Sequence, residues 1–180
     1  MSGPSAFGGV IGMNRRNRDF VLRCNSRPAI AMAKDKIASK AAMAAEGIPT
    51  PRLIATLHAA AALDRVYPAL VREESGFVVK PCHGAQGRGI QIFLRALPEG
   101  TLLPFHGDPI TSREFQFSLA SIISGEYSSG VPEETVLFEE RIRLSTAWVY
   151  RDLPGPPDMR VIVYEGRAVM AMLRVPTVAS

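Results

Sequence analysis

The segment that decides the fold is "FVVKPCHGAQGRGI", residues 77–90. Val78 and Val79 lie in an apolar run that reads as a strand. The run ends on Lys80 and Pro81, and Gly84, Gly87 and Gly89 then fall within six residues, with Gln86 and Arg88 between them. The apolar pattern resumes in "GIQIFLRA", a second strand, so the two strands and their loop read as a hairpin with an enlarged tip. Glycines let a backbone approach a ligand closely and aim its N–H groups at it, an arrangement suited to phosphate. Lys80 adds a point charge at the strand end, and Pro81 keeps it extended. A strand follows the loop, where a dinucleotide fingerprint would open a helix, and the Gly-Lys-Ser/Thr of a Walker loop is absent. The competing reading is a turn that binds nothing.

Elements alternate on both sides of this hairpin. "NRRNRDFVLRCN" reads as a short helix and "KDKIASKAAMAAEGIPTP" as a longer one, capped at Gly47 and stopped by Pro49 and Pro51. "LIATL" is a short strand, "AAAALDRVYPAL" a helix ending near Pro68, and "SREFQFSLASIISG" a helix with Phe115, Leu119, Ile122 and Ile123 on one face. "ETVLFEERI" is a strand. After the proline-rich "RDLPGPPD", "DMRVIVYEGRAVMAMLRVP" reads as two strands joined by a tight turn at "EGR". Local hairpins mixed with helices argue for an α+β or mixed α/β fold and against a doubly wound parallel sheet.

The 180 residues suit one domain or two small lobes, and 47% hydrophobic with 21% charged residues describes an ordinary globular chain. No apolar run is long enough for a membrane span, and the N-terminal charge order is the reverse of a secretory signal, which predicts a cytoplasmic protein. Cys24 and Cys82 are far apart, so a disulfide framework is not expected. The Cys82–His83 pair has no partners at zinc spacing, which argues against a metal site there. The net charge of +4 is concentrated before residue 41, where Arg15, Arg16, Arg18, Arg23, Arg27, Lys34, Lys36 and Lys40 face only Asp19 and Asp35. Such a front end suits an anionic partner or a solvated helix face. Only Phe20 stands among those arginines, too few aromatics for a single-strand nucleic-acid binder.

Two further features point toward a nucleotide. Lys36 begins a helix, where a cation opposes the helix dipole, so an anion such as phosphate would account for it; an ordinary surface lysine is the alternative. Glu139 and Glu140 are neighbours on a strand and so point to opposite faces, which suits one facing a cleft and the other facing solvent or pairing with Arg141 or Arg143; a solvated strand end is the competing reading. Trp148 and Tyr150 read as packing residues beside the proline-rich loop.

The order of these pieces resembles the ATP-grasp enzymes: a helix opening with "DK", then "GIPTP", "VVKP", "HGAQGRGI", a helix, "FEERI" and "DMRV". Within that superfamily, "GVIGMNRRNRDFVL" and "DMRVIVYEGRAVMAMLRVPT" resemble the alpha-L-glutamate ligase-like proteins. The resemblance implies two α/β lobes with ATP between them: a basic helical segment (residues 1–33), a first lobe with the flap (34–138) and a hinge with part of a second lobe (139–180). It implies phosphate contacts at Lys36 and Lys80, a flap over the phosphates at Gly84, Gln86, Gly87, Arg88 and Gly89, and an adenine-side linker at Glu139, Glu140 and Ile142. Arg160, with Asp158, matches a "D-x-R" pair of the second lobe and is a catalytic candidate, and Arg174 matches a basic position near the transferred phosphoryl group. The implied cofactors are ATP and Mg²⁺, and the implied chemistry is carboxylate–amine ligation through an acylphosphate, with a small-molecule or peptide substrate pair.

The sequence departs from this pattern where the family holds Mg²⁺. A Glu-x-Asn pair is expected on late strands, yet Asn14, Asn17 and Asn25 are the only asparagines. The sequence stops at "RVPTVAS", where the family continues, which predicts an incomplete second lobe and an unpaired edge at "VMAMLRV" prone to association. A nucleotide-binding remnant without catalysis is therefore the rival reading, followed by a basic nucleic-acid binder.

Overall fold

The computed structural model describes residues 11–128, 133–143 and 157–175. Trp148, Tyr150 and most of the proline-rich loop lie outside the described residues. The chain divides into two units, Met32–Arg143 and a second built from Met1–Ala31 with Leu144–Ser180.

The elements of the first unit run α4 (Lys36–Ala45), β1 (Leu53–Leu57), a 3₁₀ turn (Ala60–Ala62), α5 (Leu63–Val71), β2 (Phe77–Pro81), β3 (Gln91–Ala96), β4 (Thr101–Pro104), β5 (Ile110–Thr111), α6 (Ser112–Ile123) and β6 (Val136–Glu140). Ahead of them come α1 (Met13–Arg16), a π-helical segment (Asn17–Val21), α2 (Leu22–Cys24) and α3 (Arg27–Lys34), and the described residues end with β7 (Asp158–Tyr164) and β8 (Arg167–Arg174). The six strands of the first unit pair in the order β1-β6-β2-β3-β4-β5, and every pair is antiparallel. A mixed α+β organisation with a β2–β3 hairpin is what the sequence pattern predicts; the antiparallel pairing of β6 with β1 and β2 is long-range. Strands β4 and β5 left no trace in the sequence pattern, because two to four residues bounded by Gly and Pro carry too little periodicity.

One sheet face holds the core. Phe77 and Val79 of β2, Phe93 of β3 and Phe138 of β6 are buried there with Leu63, Val66 and Leu70 of α5 and Phe115, Leu119 and Ile122 of α6. The Phe93 ring lies 5.0 Å from both Phe77 and Phe115, and edge and tilted contacts extend the cluster to Phe138. Helix α5 continues to Val71 with Pro68 inside it, past the stop expected near that proline. Three apolar side chains anchored in the core hold the helix through the lost backbone bond. Helix α6 starts at a capping box, Thr111 Oγ1 accepting from Glu114 N while the Glu114 carboxylate accepts from Thr111 N. Thr111→Ala is expected to lower stability by about 1 kcal/mol, read as a shifted urea midpoint with an unchanged m-value.

Register places the chemistry on the opposite sheet face. Val78 pairs with Glu139 and Lys80 with Leu137, so those four side chains share a face, while Val79 and its partner Phe138 share the core face. Lys80 and Glu139 are thus diagonal neighbours across β2 and β6. In the second unit, β7 and β8 form an antiparallel hairpin turning at Glu165 and Gly166, both with positive φ. Asp158 and Arg160 share one face of it with their partners Arg174 and Met172. The ring of Phe20 lies 6.0 Å from Tyr164.

Candidate functional site

Asp35 caps α4, its Oδ1 accepting from Ile37 N at 2.8 Å and Ala38 N at 3.0 Å. That cap fixes the helix rotation and sends Lys36 and Lys40, one turn apart, toward the C-terminal ends of β2 and β6. Lys40 Nζ lies 3.1 Å from Glu139 Oε1, and Lys80 Nζ lies 2.6 Å from Glu139 Oε2. Glu139 is therefore a buried carboxylate (3% exposed) bridging two ammonium groups from different elements. The Lys40 ammonium also donates to the Pro51 carbonyl.

Lys36 takes a different place. Its Nζ donates to the carbonyls of Cys82 (3.0 Å) and Gly84 (2.7 Å), at the base of the glycine loop. Burial pushes its pKa down; the nearby Lys80 ammonium adds to the effect, and the Cys82, Glu134 and Glu139 groups oppose it. The cation at the helix start is offset by two aimed carbonyls.

The loop is built to stay compact. Gln86, Gly87 and Gly89 have positive φ. A Cβ at Gly89 would stand 2.7 Å from the Tyr127 ring, and one at Gly84 would stand 2.2 Å from Pro81 Cγ. Arg88 N bonds Ala85 O at 3.2 Å and Ile90 N bonds Gly87 O at 3.3 Å, two successive tight turns. The base is clamped by Glu134, 2% exposed, whose carboxylate accepts from His83 N (3.0 Å), His83 Nδ1 (2.9 Å), Thr135 N (2.9 Å) and the Ser128 hydroxyl. Burial pushes this carboxyl up, but the hydrogen bonds from Ser128, His83 and Thr135 outweigh it and hold it below the ordinary value.

At the strand end, Glu140 turns away from Glu139 and accepts from Arg52 N at 2.8 Å. Arg141 Nε donates to Ser75 O at 2.7 Å, and Ile142 is exposed. The partner of Glu140 is Arg52, which is also paired with Glu73, and neither Arg141 nor Arg143 takes that role. In the second unit Arg174 forms a two-point ion pair with Asp158. Lys40 is the functional candidate that the sequence reading passed over. Its spacing of four from Lys36 on a helix was the available signal, since it puts both ammonium groups on one face.

The profile of the sugar-transfer associated ATP-grasp family matches residues 15–180. The chain belongs to that family. No curated protein matches it. No helix among the described residues is long and apolar enough to cross a membrane.

Mg²⁺, which ATP-grasp chemistry implies, asks for several oxygen ligands in near-octahedral geometry. The described residues after Ile142 carry only two carboxylates: Asp158, engaged by Arg174, and Glu165, at the hairpin turn. These do not make a Mg²⁺ site.

Proposed function

We propose that this ATP-grasp domain holds the polyphosphate of ATP between Lys40, Lys80 and the Gly84–Gly89 loop and serves ATP-dependent carboxylate–amine ligation. The observation that carries the proposal is the convergence of Lys40 and Lys80 on one buried carboxylate beside a glycine loop anchored by Lys36. Two ammonium groups sharing one counter-charge leave a net positive site, and loop N–H groups supply further donors for phosphate oxygens. Lys36 then acts through the loop, fixing its base. Ile142, exposed just beyond the end of β6, marks the candidate edge for adenine.

In the reaction a substrate carboxylate oxygen attacks the γ-phosphorus and ADP leaves, giving an acylphosphate. The amine then attacks the acyl carbon and inorganic phosphate departs, leaving the new C–N bond and one proton for solvent. Positioning and charge neutralisation carry such a transfer, with no side-chain nucleophile. By its place in the family pattern Arg174 is the candidate for the basic group near the transferred phosphoryl group, and Arg160 is a catalytic candidate through the D-x-R motif that it shares with Asp158. Glutamate is the candidate carboxylate on the strength of the resemblance at both ends of the chain, and the basic residues 15–40 suit an acidic substrate equally.

The test is thermal stabilisation by ATP with and without Mg²⁺. ATP is expected to raise Tm for the native chain, and Lys80→Ala is expected to weaken binding about tenfold to a hundredfold, as for a lost charge-assisted contact. Nucleotide binding with no phosphate release across candidate carboxylates and amines would favour the non-catalytic remnant. Absence of any ATP response in the folded chain would end the proposal.

A further inference from the structure

The sequence gives Cys82 and His83 no metal-ligand partner at a recognisable spacing, yet the fold brings one from 47 positions away. Asp35, the cap of α4, stands against the junction of β2 and the loop, and Lys36 N bonds Cys82 O at 3.3 Å to fix that approach. Cys82 Sγ lies 3.1 Å from Asp35 Oδ1, and His83 Nε2 lies 3.9 Å from Asp35 Oδ2. The sulfur, the imidazole nitrogen and the carboxylate oxygen all fall within 4.8 Å of one another.

The polarity of the surrounding bonds is decisive. His83 Nδ1 faces the Glu134 carboxylate at 2.9 Å, and that carboxylate already accepts from Ser128, Thr135 N and His83 N. Nδ1 therefore carries the proton, and in the neutral ring the lone pair sits on Nε2. Nε2 lies beside the Asp35 carboxylate, and 3.9 Å is too long for a hydrogen bond. A carboxylate that orients a histidine through one ring nitrogen, leaving the other for a metal, is a standard supporting arrangement of metal centres.

We propose that Asp35, Cys82 and His83 form a three-ligand site for a borderline-soft divalent cation, Zn²⁺, with Glu134 orienting the histidine. Thiolate, imidazole and carboxylate suit Zn²⁺ and Co²⁺ and do not suit Mg²⁺ or Ca²⁺. The Cys82 S–H bond breaks on coordination, the sulfur lone pair goes to the metal and one proton passes to buffer. Thiolate and carboxylate together balance the two positive charges, and water completes a tetrahedron. A nucleophilic role for Cys82 is disfavoured, because the thiol is 1% exposed and donates to a carboxylate where a reactive cysteine needs electropositive, accessible surroundings. The bound ion would tie the start of α4 to the base of the loop. This inference is independent of the ligase proposal, since it invokes no nucleotide.

The test uses the chelator-treated chain titrated with Co²⁺ and Zn²⁺. One equivalent of Co²⁺ is expected to give a thiolate-to-cobalt charge-transfer band, which Zn²⁺ bleaches by displacement. Release of about one proton per metal accompanies it, and Tm rises by about 5–10 °C at a hundredfold excess over Kd. The band should survive in Cys24→Ser, which removes the exposed cysteine, and vanish in Cys82→Ser. Asp35→Asn keeps a helix-capping residue, so it tests the ligand with the fold retained, and at least a tenfold loss of affinity is expected there. No band in the folded native chain, or a band that persists in Cys82→Ser, overturns the proposal.

Discussion

Glu134→Ala is expected to destabilise the first unit by about 3–5 kcal/mol, because several donors lose their shared acceptor together, at about 1–3 kcal/mol each. The carboxylate receives His83 N, His83 Nδ1, Thr135 N and the Ser128 hydroxyl in a space closed to solvent. Alanine supplies none of those acceptors, so donors on both sides of the β2–loop junction lose their partner together. Glu134→Gln keeps one carbonyl oxygen but turns an NH₂ toward donors, and a smaller loss of about 1–3 kcal/mol follows. Denaturant unfolding of the three proteins checks the order. A Glu134→Ala midpoint within experimental error of native would mean that the clamp does not hold the loop base.

That clamp also shows where sequence reasoning stopped. The β2–β3 hairpin, the helix of Phe115 and Leu119 and the β7–β8 hairpin were legible, because apolar periodicity and glycine turns are local signals. The opposite orientations of Glu139 and Glu140 followed from strand alternation alone. What remained hidden came from long-range register. That Glu139 would meet Lys40 and Lys80 depends on β6 inserting between β1 and β2, a pairing that no local pattern encodes. Asp35 meeting Cys82 has the same origin, since the start of α4 docks on the end of β2. Lys36 illustrates the converse. Its charge at a helix start is a local signal, but the loop carbonyls that receive it come from a hairpin 46 and 48 positions away.

Glu139→Ala separates a structural carboxylate from one that holds a phosphate site in readiness. Its removal leaves the Lys40 and Lys80 ammonium groups facing each other with no counter-charge. Both lysines keep some solvent access, so the loss of stability is expected near the low end of the range for a broken buried pair, about 3 kcal/mol. A polyanion should then act more strongly on the variant than on the native chain, because it supplies the missing charge as well as its own contacts. The predicted pattern is a lower Tm for Glu139→Ala without ligand and a larger Tm increase with ATP or tripolyphosphate. Adding Lys80→Ala to Glu139→Ala should restore part of the lost stability and abolish the extra response, giving a coupling of about 1–3 kcal/mol in the double-mutant cycle. If Glu139 only fills the sheet face, the variant is destabilised but gains nothing extra from polyphosphate, and the assignment of Lys40 and Lys80 to the nucleotide fails with it.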